Sequence, residues 1–410
     1  MNSAIHIKQT NVLKGTVNHL PASKSISNRV LIMNALAGSG SLLHNLSDAN
    51  DTQLMLKLVD SMEREIDVED AGTTMRFLTA YFSITGKQKI MTGTSRMKER
   101  PIGILVDALR VLGAEIRYLE KDEYPPIELL GFAKQRKTSI DIRGDVSSQF
   151  ISALMMVAPV LPEGLTLNLT GKIGSRPYIE MTASLMKEFG VTTDFRESTI
   201  HIKPQPYKAT SYTVESDWSA ASYWFAFTAM AERAEIALPR LMPRSLQGDS
   251  VIAGIMKNLG VEATAENGLL KLTKTTITHD IRWDFTHCPD LAQTVAVVCA
   301  AKGITGVFTG LESLRIKETD RIAALQQELR KIGADLKEDS SHWTLVPSKQ
   351  LPSGASFQTY KDHRMAMAFA PLVTCMDVTI ENPGVVKKSY PRFWDDLKEF
   401  GLKMVVDSGS

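Results

Sequence analysis

Cysteine is scarce in this 410-residue chain: Cys288, Cys299 and Cys375 are odd in number, far apart and never in CxxC spacing. That excludes a disulfide framework or a cysteine-ligated zinc site and favours a reducing compartment. An excess of one charge is also missing, since 47 Lys and Arg meet 46 Asp and Glu for a formal net charge of +1. Without a basic excess or a concentrated basic run, nucleic-acid and membrane-surface roles have no support. No apolar run reaches the roughly 18 residues a membrane span needs, and the opening MNSAIHIKQT alternates like a strand instead of carrying a signal-peptide core. The cytoplasm is therefore the expected location. The chain further lacks a GxxxxGKS/T phosphate loop, GxGxxG after a strand, HExxH and GxSxG. Nucleotide-phosphate loops, zincins and serine-hydrolase elbows are accordingly unsupported.

What is present begins with Leu20 to Arg29, LPASKSISNR, running into the apolar VLIMNALAG. Pro21 ends an extended segment, Ser23, Ser25 and Ser27 alternate, and Lys24 and Arg29 flank a helix start. Such a start leaves N–H groups unpaired and carries partial positive charge, so it favours phosphate or carboxylate.

Segments of this kind recur. Helices rich in small and apolar residues begin near Ser27, Gly72, Ser147, Asp217, Asp290 and Asp362, at intervals of 45, 75, 70, 73 and 72 residues. Between them lie amphipathic helices, as in Ile252, Ile255, Met256, Leu259 and in Ile322, Leu325, Leu329, Ile332. Four of these stop at a glycine followed by Ala or Val (Gly113, Gly190, Gly260, Gly333), and a fifth stops at Gly401, as left-handed helix caps do. The first, DTQLMLKLVDSMERE, has no glycine stop. Short alternating runs at Ile140–Ile142, Leu165–Leu169, Ile200–Ile202 and Leu269–Leu272 read as strands. The pattern predicts an α/β protein of six related units in two lobes of three, the apolar helices inside and the amphipathic ones on a sheet face. Residues 204–214, PQPYKATSYTV, are the expected linker, and Pro21 a second crossing point.

Polar residues gather at the starts of the apolar helices: Lys24, Ser25 and Arg29; Asp70, Gly72 and Thr73; Ser147, Ser148 and Gln149; Asp217; Asp290; Asp362, His363 and Arg364. If the units are equivalent, facing lobes bring these ends to one cleft. RIKETDR (315–321), Arg100 in MKERPIG, and Lys387 with Lys388 add charge just before amphipathic helices.

In order and spacing, LPASKSISNR, DAGTTMR, KERPIG, GDVSSQF, SRPYI, HCPDLA, RIKETDR, KDHRMAMAFA and KKSYP resemble the motifs of the 5-enolpyruvylshikimate-3-phosphate synthase family over roughly residues 20–395. The resemblance implies an inside-out, two-lobed α/β fold of βαβαββ units, residues 21–215 forming one lobe and 1–20 with 216–410 the other, and an active site in the interlobe cleft. It implies transfer of the enolpyruvyl group of phosphoenolpyruvate to the 5-hydroxyl of shikimate 3-phosphate with release of phosphate. No metal or organic cofactor is called for, the partners are these two small molecules, and a monomer is expected. By resemblance, Ser147, Ser148, Ser175 and Lys317 hold the shikimate phosphate, with Ser25, Arg29, Gln149, Tyr178 and Ser313 along the ring. Lys24, Gly72, Arg100, Gln149, Arg321, Arg364 and Lys388 hold phosphoenolpyruvate. Asp290 takes the hydroxyl proton, while Glu318 and Lys24 serve the vinyl carbon; Lys24 and Asp290 also touch shikimate 3-phosphate.

Cations so collected repel one another by about 1–4 kcal/mol per close pair, which predicts an open enzyme that closes on its anions. Four positions depart from the family pattern: Asp70, Ser313 and Lys361 replace usual Asn residues, and Phe77 stands where many members have Pro. They bear on affinity and on sensitivity to glyphosate more than on the reaction. The related transferase acting on UDP-N-acetylglucosamine typically carries a cysteine near the position of Arg100, and residues 91–101 contain none.

Overall fold

The computed structural model describes residues 3–145, 147–277, 280–340 and 342–407; Val146, inside the GDVSSQF stretch, lies outside them. The chain folds as two compact units, one made of the residues up to Ala22 with those from Glu215 onward, the other of Ser23–Val214.

In Ser23–Val214 the same six-element order appears twice. Glu65–Asp67, helix Gly72–Ile84, Lys89–Thr92, helix Gly103–Leu112, Ala114–Tyr118 and Ile127–Phe132 build one sheet. Ser139–Arg143, helix Ser148–Val157, Leu165–Thr170, helix Arg176–Glu188, Asp194–Arg196 and Thr199–Ile202 build another. In each, the first two strands are parallel around the buried helix, and the last strand returns antiparallel between its neighbours. The leading repeat is shorter. Its strand Leu42–His44 pairs in parallel with Ser211–Thr213, brought back from the far end of the unit, and no hairpin follows its helix Asn50–Leu58. That explains the missing glycine stop: this helix ends at Val59 in right-handed geometry, whereas Gly113 turns the chain at φ 119°. A Cβ at Gly113 would lie 2.2 Å from the Lys134 carbonyl oxygen, so no other residue fits.

The expected linker is not a free connection. Ser211–Thr213 is a strand, and the Tyr207 hydroxyl donates to the Met156 carbonyl at 2.8 Å, so this segment is part of the Ser23–Val214 unit.

Among the described residues, the other unit holds three four-stranded sheets of the same order. Two are completed by the N-terminal segment. Val12–Thr16 runs parallel to Arg233–Pro239 as the first strand of its sheet, and Ala4–Ile7 lies between Asp377–Glu381 and Met404–Asp407 in the last. The chain leaves and re-enters the unit side by side, with Ala22 bridged to Ser216 and the Asp217 N–H donating to the Pro21 carbonyl at 2.8 Å.

The interior helices carry the core. In Trp218–Met230 every residue but Ser219 is buried, which the small and aromatic composition allows and an amphipathic stripe would not. The amphipathic helices bury one side, as Ile322, Leu325, Leu329 and Ile332 show. Because Ile5 is 2% exposed in a strand paired on both sides, Ile5→Ala is expected to cost about 2–5 kcal/mol, read as a lower urea midpoint. An unchanged midpoint would mean that the segment contributes no core packing.

Candidate active site

Within Ser23–Val214, three interior helix starts are tied together by side chains. Ser23 caps helix Lys24–Leu36, and the Lys24 ammonium donates to Asp51 at 3.0 Å. Thr74, in the first turn of Gly72–Ile84, donates to the Asp51 carbonyl at 3.3 Å, while Gln149 donates from the next helix start to Thr73 at 2.9 Å. Ser147 caps that helix by accepting from the Gln149 N–H, and Ser148 is buried behind it. Ser175, at the start of Arg176–Glu188, stands in left-handed geometry at φ 50°, an uncommon state for serine that recurs at functional positions. Its carbonyl accepts from the Tyr178 N–H at 3.0 Å.

Arg29 threads this arrangement. Its guanidinium donates to Thr182 at 2.8 Å, the Ser25 carbonyl at 2.9 Å and Ser152 at 3.1 Å, between the rings of Phe77 and Tyr178. Every one of these partners is neutral, and among the described residues no carboxylate pairs with it. Burial lowers its pKa to about 10, so it stays cationic at neutral pH. Among the described residues, Arg100 likewise donates to the Asp70 carbonyl alone, at 3.4 Å, and its Nε has no partner. The tips of Arg100 and Arg76 converge over Gly72, where a Cβ would meet both at 2.6 Å.

The second unit holds its cations differently. Arg321, 2% exposed at the start of Arg321–Arg330, donates to Asp362 at 2.7 Å, Glu318 at 2.8 Å and Asp290 at 3.0 Å. Arg364 meets the other oxygen of Asp290 at 2.8 Å, and Lys388 lies 3.7 Å from Glu318. The expected repulsion among these cations is thus offset within the unit by three carboxylates. Burial disfavours ionised Asp290, but Arg364, Arg321 and Lys317 outweigh it and hold the carboxyl well below its usual range. Lys317 ends the short helix Glu312–Ile316, on which Ser313 is exposed. His363 is buried, 3.7 Å from Asp362. Cys288 is a buried thiol pushed up to about 12 chiefly by burial, which makes it inert.

Sequence reasoning passed over Asp51 and Arg76 as site residues, and it singled out Asp362 without seeing that it grips Arg321. It gave no sign at all of Asp249. That side chain is 3% exposed on Gly248–Val251, one oxygen accepting from Ser219 and the other without a partner among the described residues. Burial, reinforced by the charge of Asp290, pushes Asp249 up to about 7.

One further cluster, His19, Asp396 and Glu399, brings possible metal-ligating atoms within 4.8 Å. Asp396 is already engaged, accepting from the His19 N–H at 3.0 Å, the His19 ring at 2.9 Å and the Tyr390 hydroxyl. The group ties the segment before Pro21 to the last helix.

Solved structures share this arrangement of repeats. Two of EPSP synthase from Acinetobacter baumannii align with TM-scores of 0.81 and 0.80 at 19% identity, the first over 100% of both chains and the second over 99% of this chain. That likeness defines the class: a two-unit α/β protein built on six repeats with interior helices. The EPSP synthase (3-phosphoshikimate 1-carboxyvinyltransferase) family pattern matches residues 7–70 and 61–397. The 3-phosphoshikimate 1-carboxyvinyltransferase of Bacteroides fragilis is 46% identical over 399 residues, covering 96% of this chain and 97% of its own. That of Aliivibrio salmonicida is 36% identical over 423 residues, covering 95% and 97%. The chain belongs to the EPSP synthase family. It is an enolpyruvyl transferase of the shikimate pathway, moving the enolpyruvyl group of phosphoenolpyruvate to shikimate 3-phosphate. Among the described residues, no helix is long and apolar enough to cross a membrane.

The state of Asp249 makes stability depend on pH. An unfolded aspartate titrates near ~3.9, so between that value and about 7 the folded chain binds the extra proton, and stability falls as pH rises through this window. Asp249→Asn is expected to raise the denaturant midpoint at pH 8 and leave it nearly unchanged at pH 4. Equal shifts at both pH values would show that Asp249 does not titrate in this range.

Proposed function

We propose that residues at and beside these helix starts hold the anions of the two substrates. Ser147, Ser148, Ser175 and Lys317 take the phosphate of shikimate 3-phosphate, with Ser25, Arg29, Gln149, Tyr178 and Ser313 along its ring. Lys24, Gly72, Arg100, Gln149, Arg321, Arg364 and Lys388 take phosphoenolpyruvate. The observation that carries this reading is the buried guanidinium of Arg29, whose partners among the described residues are all neutral. A buried charge without a counter-ion is costly to fold, and an arriving anion supplies the missing partner.

Asp290 is the base for the 5-hydroxyl. As that oxygen attacks C2 of phosphoenolpyruvate, its proton passes to Asp290, and C3 gains a proton to become a methyl group. Elimination then removes a proton from C3 and releases phosphate, so an acid and a base must serve the same carbon; Glu318 and Lys24 are the candidates. The ion pairs supply the timing. With Arg321 and Arg364 on its oxygens, Asp290 is a weak base. Phosphoenolpyruvate competing for those guanidiniums withdraws its counter-ions and raises its proton affinity when a hydroxyl is at hand. The same reading puts a monomeric enzyme in the cytoplasm, in keeping with three free thiols.

The primary test is phosphate release from phosphoenolpyruvate with shikimate 3-phosphate or UDP-N-acetylglucosamine as acceptor, expected only with the former. Asp290→Asn is expected to lower kcat by about 10²- to 10⁴-fold without weakening phosphoenolpyruvate binding, because it frees two arginines. A rise in KM with kcat intact would make Asp290 a binding residue instead. Arg29→Met should weaken shikimate 3-phosphate binding by about 10- to 100-fold in calorimetry while raising the melting temperature of the protein alone. Unchanged affinity would remove Arg29 from the site.

A further inference from the structure

The interior helix His363–Phe369 begins at a carboxylate that does more than cap it. Asp362 is fully buried, and one oxygen accepts from the Arg364 N–H at 2.8 Å, the cap itself. Its two oxygens also meet the Nε edge of Arg321, at 2.7 Å to Nε and 3.4 Å to Nη2. A fork gripped along this edge cannot swing about its own axis, so the remaining N–H groups point in fixed directions. Those groups face Asp290 through Nη1 and Glu318 through Nη2, the two acids given proton roles above.

The backbone leading to Asp362 is over-determined as well. Tyr360 and Lys361 are consecutive non-glycine residues in left-handed geometry, at φ 52° and 58°. Such strain persists only where surrounding contacts impose it. Here the Tyr360 hydroxyl donates to the fully buried Glu328 at 2.7 Å and lies 2.8 Å from the side-chain amide of Gln327. Glu328 also accepts from the Gln358 N–H at 3.0 Å, and the Asp362 N–H donates to the Thr359 carbonyl at 2.8 Å. A cap alone demands none of this, since serine or asparagine would serve.

We propose that Asp362 is a positioning residue for the transfer reaction: it keeps its hold on Arg321 while Asp290 and Glu318 exchange their contacts with that arginine for those of phosphoenolpyruvate. The inference rests on the function proposed above. Asp362 touches no reacting atom in this scheme and acts through Arg321 alone. Through that shared arginine its charge also bears on the two acids. The charged and titratable groups around it and the two acids are Arg321, Glu318 and Lys317 from the segment entering Arg321–Arg330, Asp290 from Pro289–Leu291, Asp249 from Gly248–Val251, His363 and Arg364 from its own helix, Lys388 from Pro383–Lys388, and Tyr223 from Trp218–Met230. Removing one of three neighbouring negative charges leaves Arg321 shared between Asp290 and Glu318 and lowers the proton affinity of both.

Steady-state kinetics of Asp362→Asn test this, because asparagine retains the cap and abolishes the charge. The expected result is a fall in kcat of about 10- to 100-fold, the scale of a misplaced catalytic group, with a smaller change in KM for phosphoenolpyruvate. The acidic limb of the kcat–pH profile should move to lower pH, which a purely structural role would not produce. In the Arg321→Lys background, where the Nε edge is already gone, Asp362→Asn should change kcat less than two-fold. Circular dichroism and thermal melting establish folding, and Asp362→Ser, also a competent cap, replaces the asparagine variant if that one does not fold. An unchanged kcat, an unmoved pH limb, or an equal loss in both backgrounds would each overturn the proposal. If Arg321→Lys alone leaves kcat and KM untouched, the placement of Arg321 in the site fails instead, and the two failures are told apart.

Discussion

A helix buried on all sides still has to satisfy the first N–H groups of its first turn, and in this protein that requirement organises the rest. Each interior helix opens on residues that can accept those hydrogen bonds or present charge beside them, as Ser23, Ser147, Asp217 and Asp362 do by capping. The helix interiors are left to alanines, aromatics and aliphatics that pack on every face. Polar chemistry therefore concentrates at one end of each repeat, and local positive potential makes that end suited to phosphate and carboxylate.

The two units meet this condition with opposite charge strategies. Ser23–Val214 buries Arg29 among hydroxyls, a carbonyl and two aromatic faces, so its charge is stabilised by dipoles and rings instead of a carboxylate. The other unit locks Arg321 and Arg364 against Asp290, Glu318 and Asp362, so its cations and proton carriers hold each other in check. One arrangement favours an anion because, among the described residues, its arginine has no carboxylate partner. The other admits an anion by exchange, and the exchange alters the basicity of the acid left behind. Both are costs in folding stability borne for function.

Much of the fold was legible because its signals are periodic. The six interior helices, the amphipathic helices and the glycine stops follow from side-chain spacing, and the absent stop after the first amphipathic helix matches the absent hairpin there. The helix-start residues were legible for a related reason, since caps and charges at a boundary stand out against an apolar run. Asp51 and Arg76 were harder, because an acid in the first turn of a surface helix and an arginine inside an apolar one look ordinary until Lys24 and Gly72 are found beside them. Asp249 sits in a short turn with no pattern around it, and only its burial distinguishes it. Residues 204–214 misled for the opposite reason: prolines and polar residues read as a linker, yet a short edge strand needs no more than three residues and one partner.

Sequence by itself determined the repeat, the class of element at each position and the family, because these depend on local spacing and on motifs that survive as contiguous strings. It also determined which residue types gather at the helix starts. Tertiary structure alone decided that Ala4–Ile7 and Val12–Thr16 complete sheets whose other strands come hundreds of residues later, since strand pairing depends on unpaired edges in space. It likewise decided which charges are compensated. Arg29 and Arg321 look alike in sequence, each in a charged stretch that runs into a helix, and only the side chains folded around them, among the described residues, leave one without a carboxylate and give the other three.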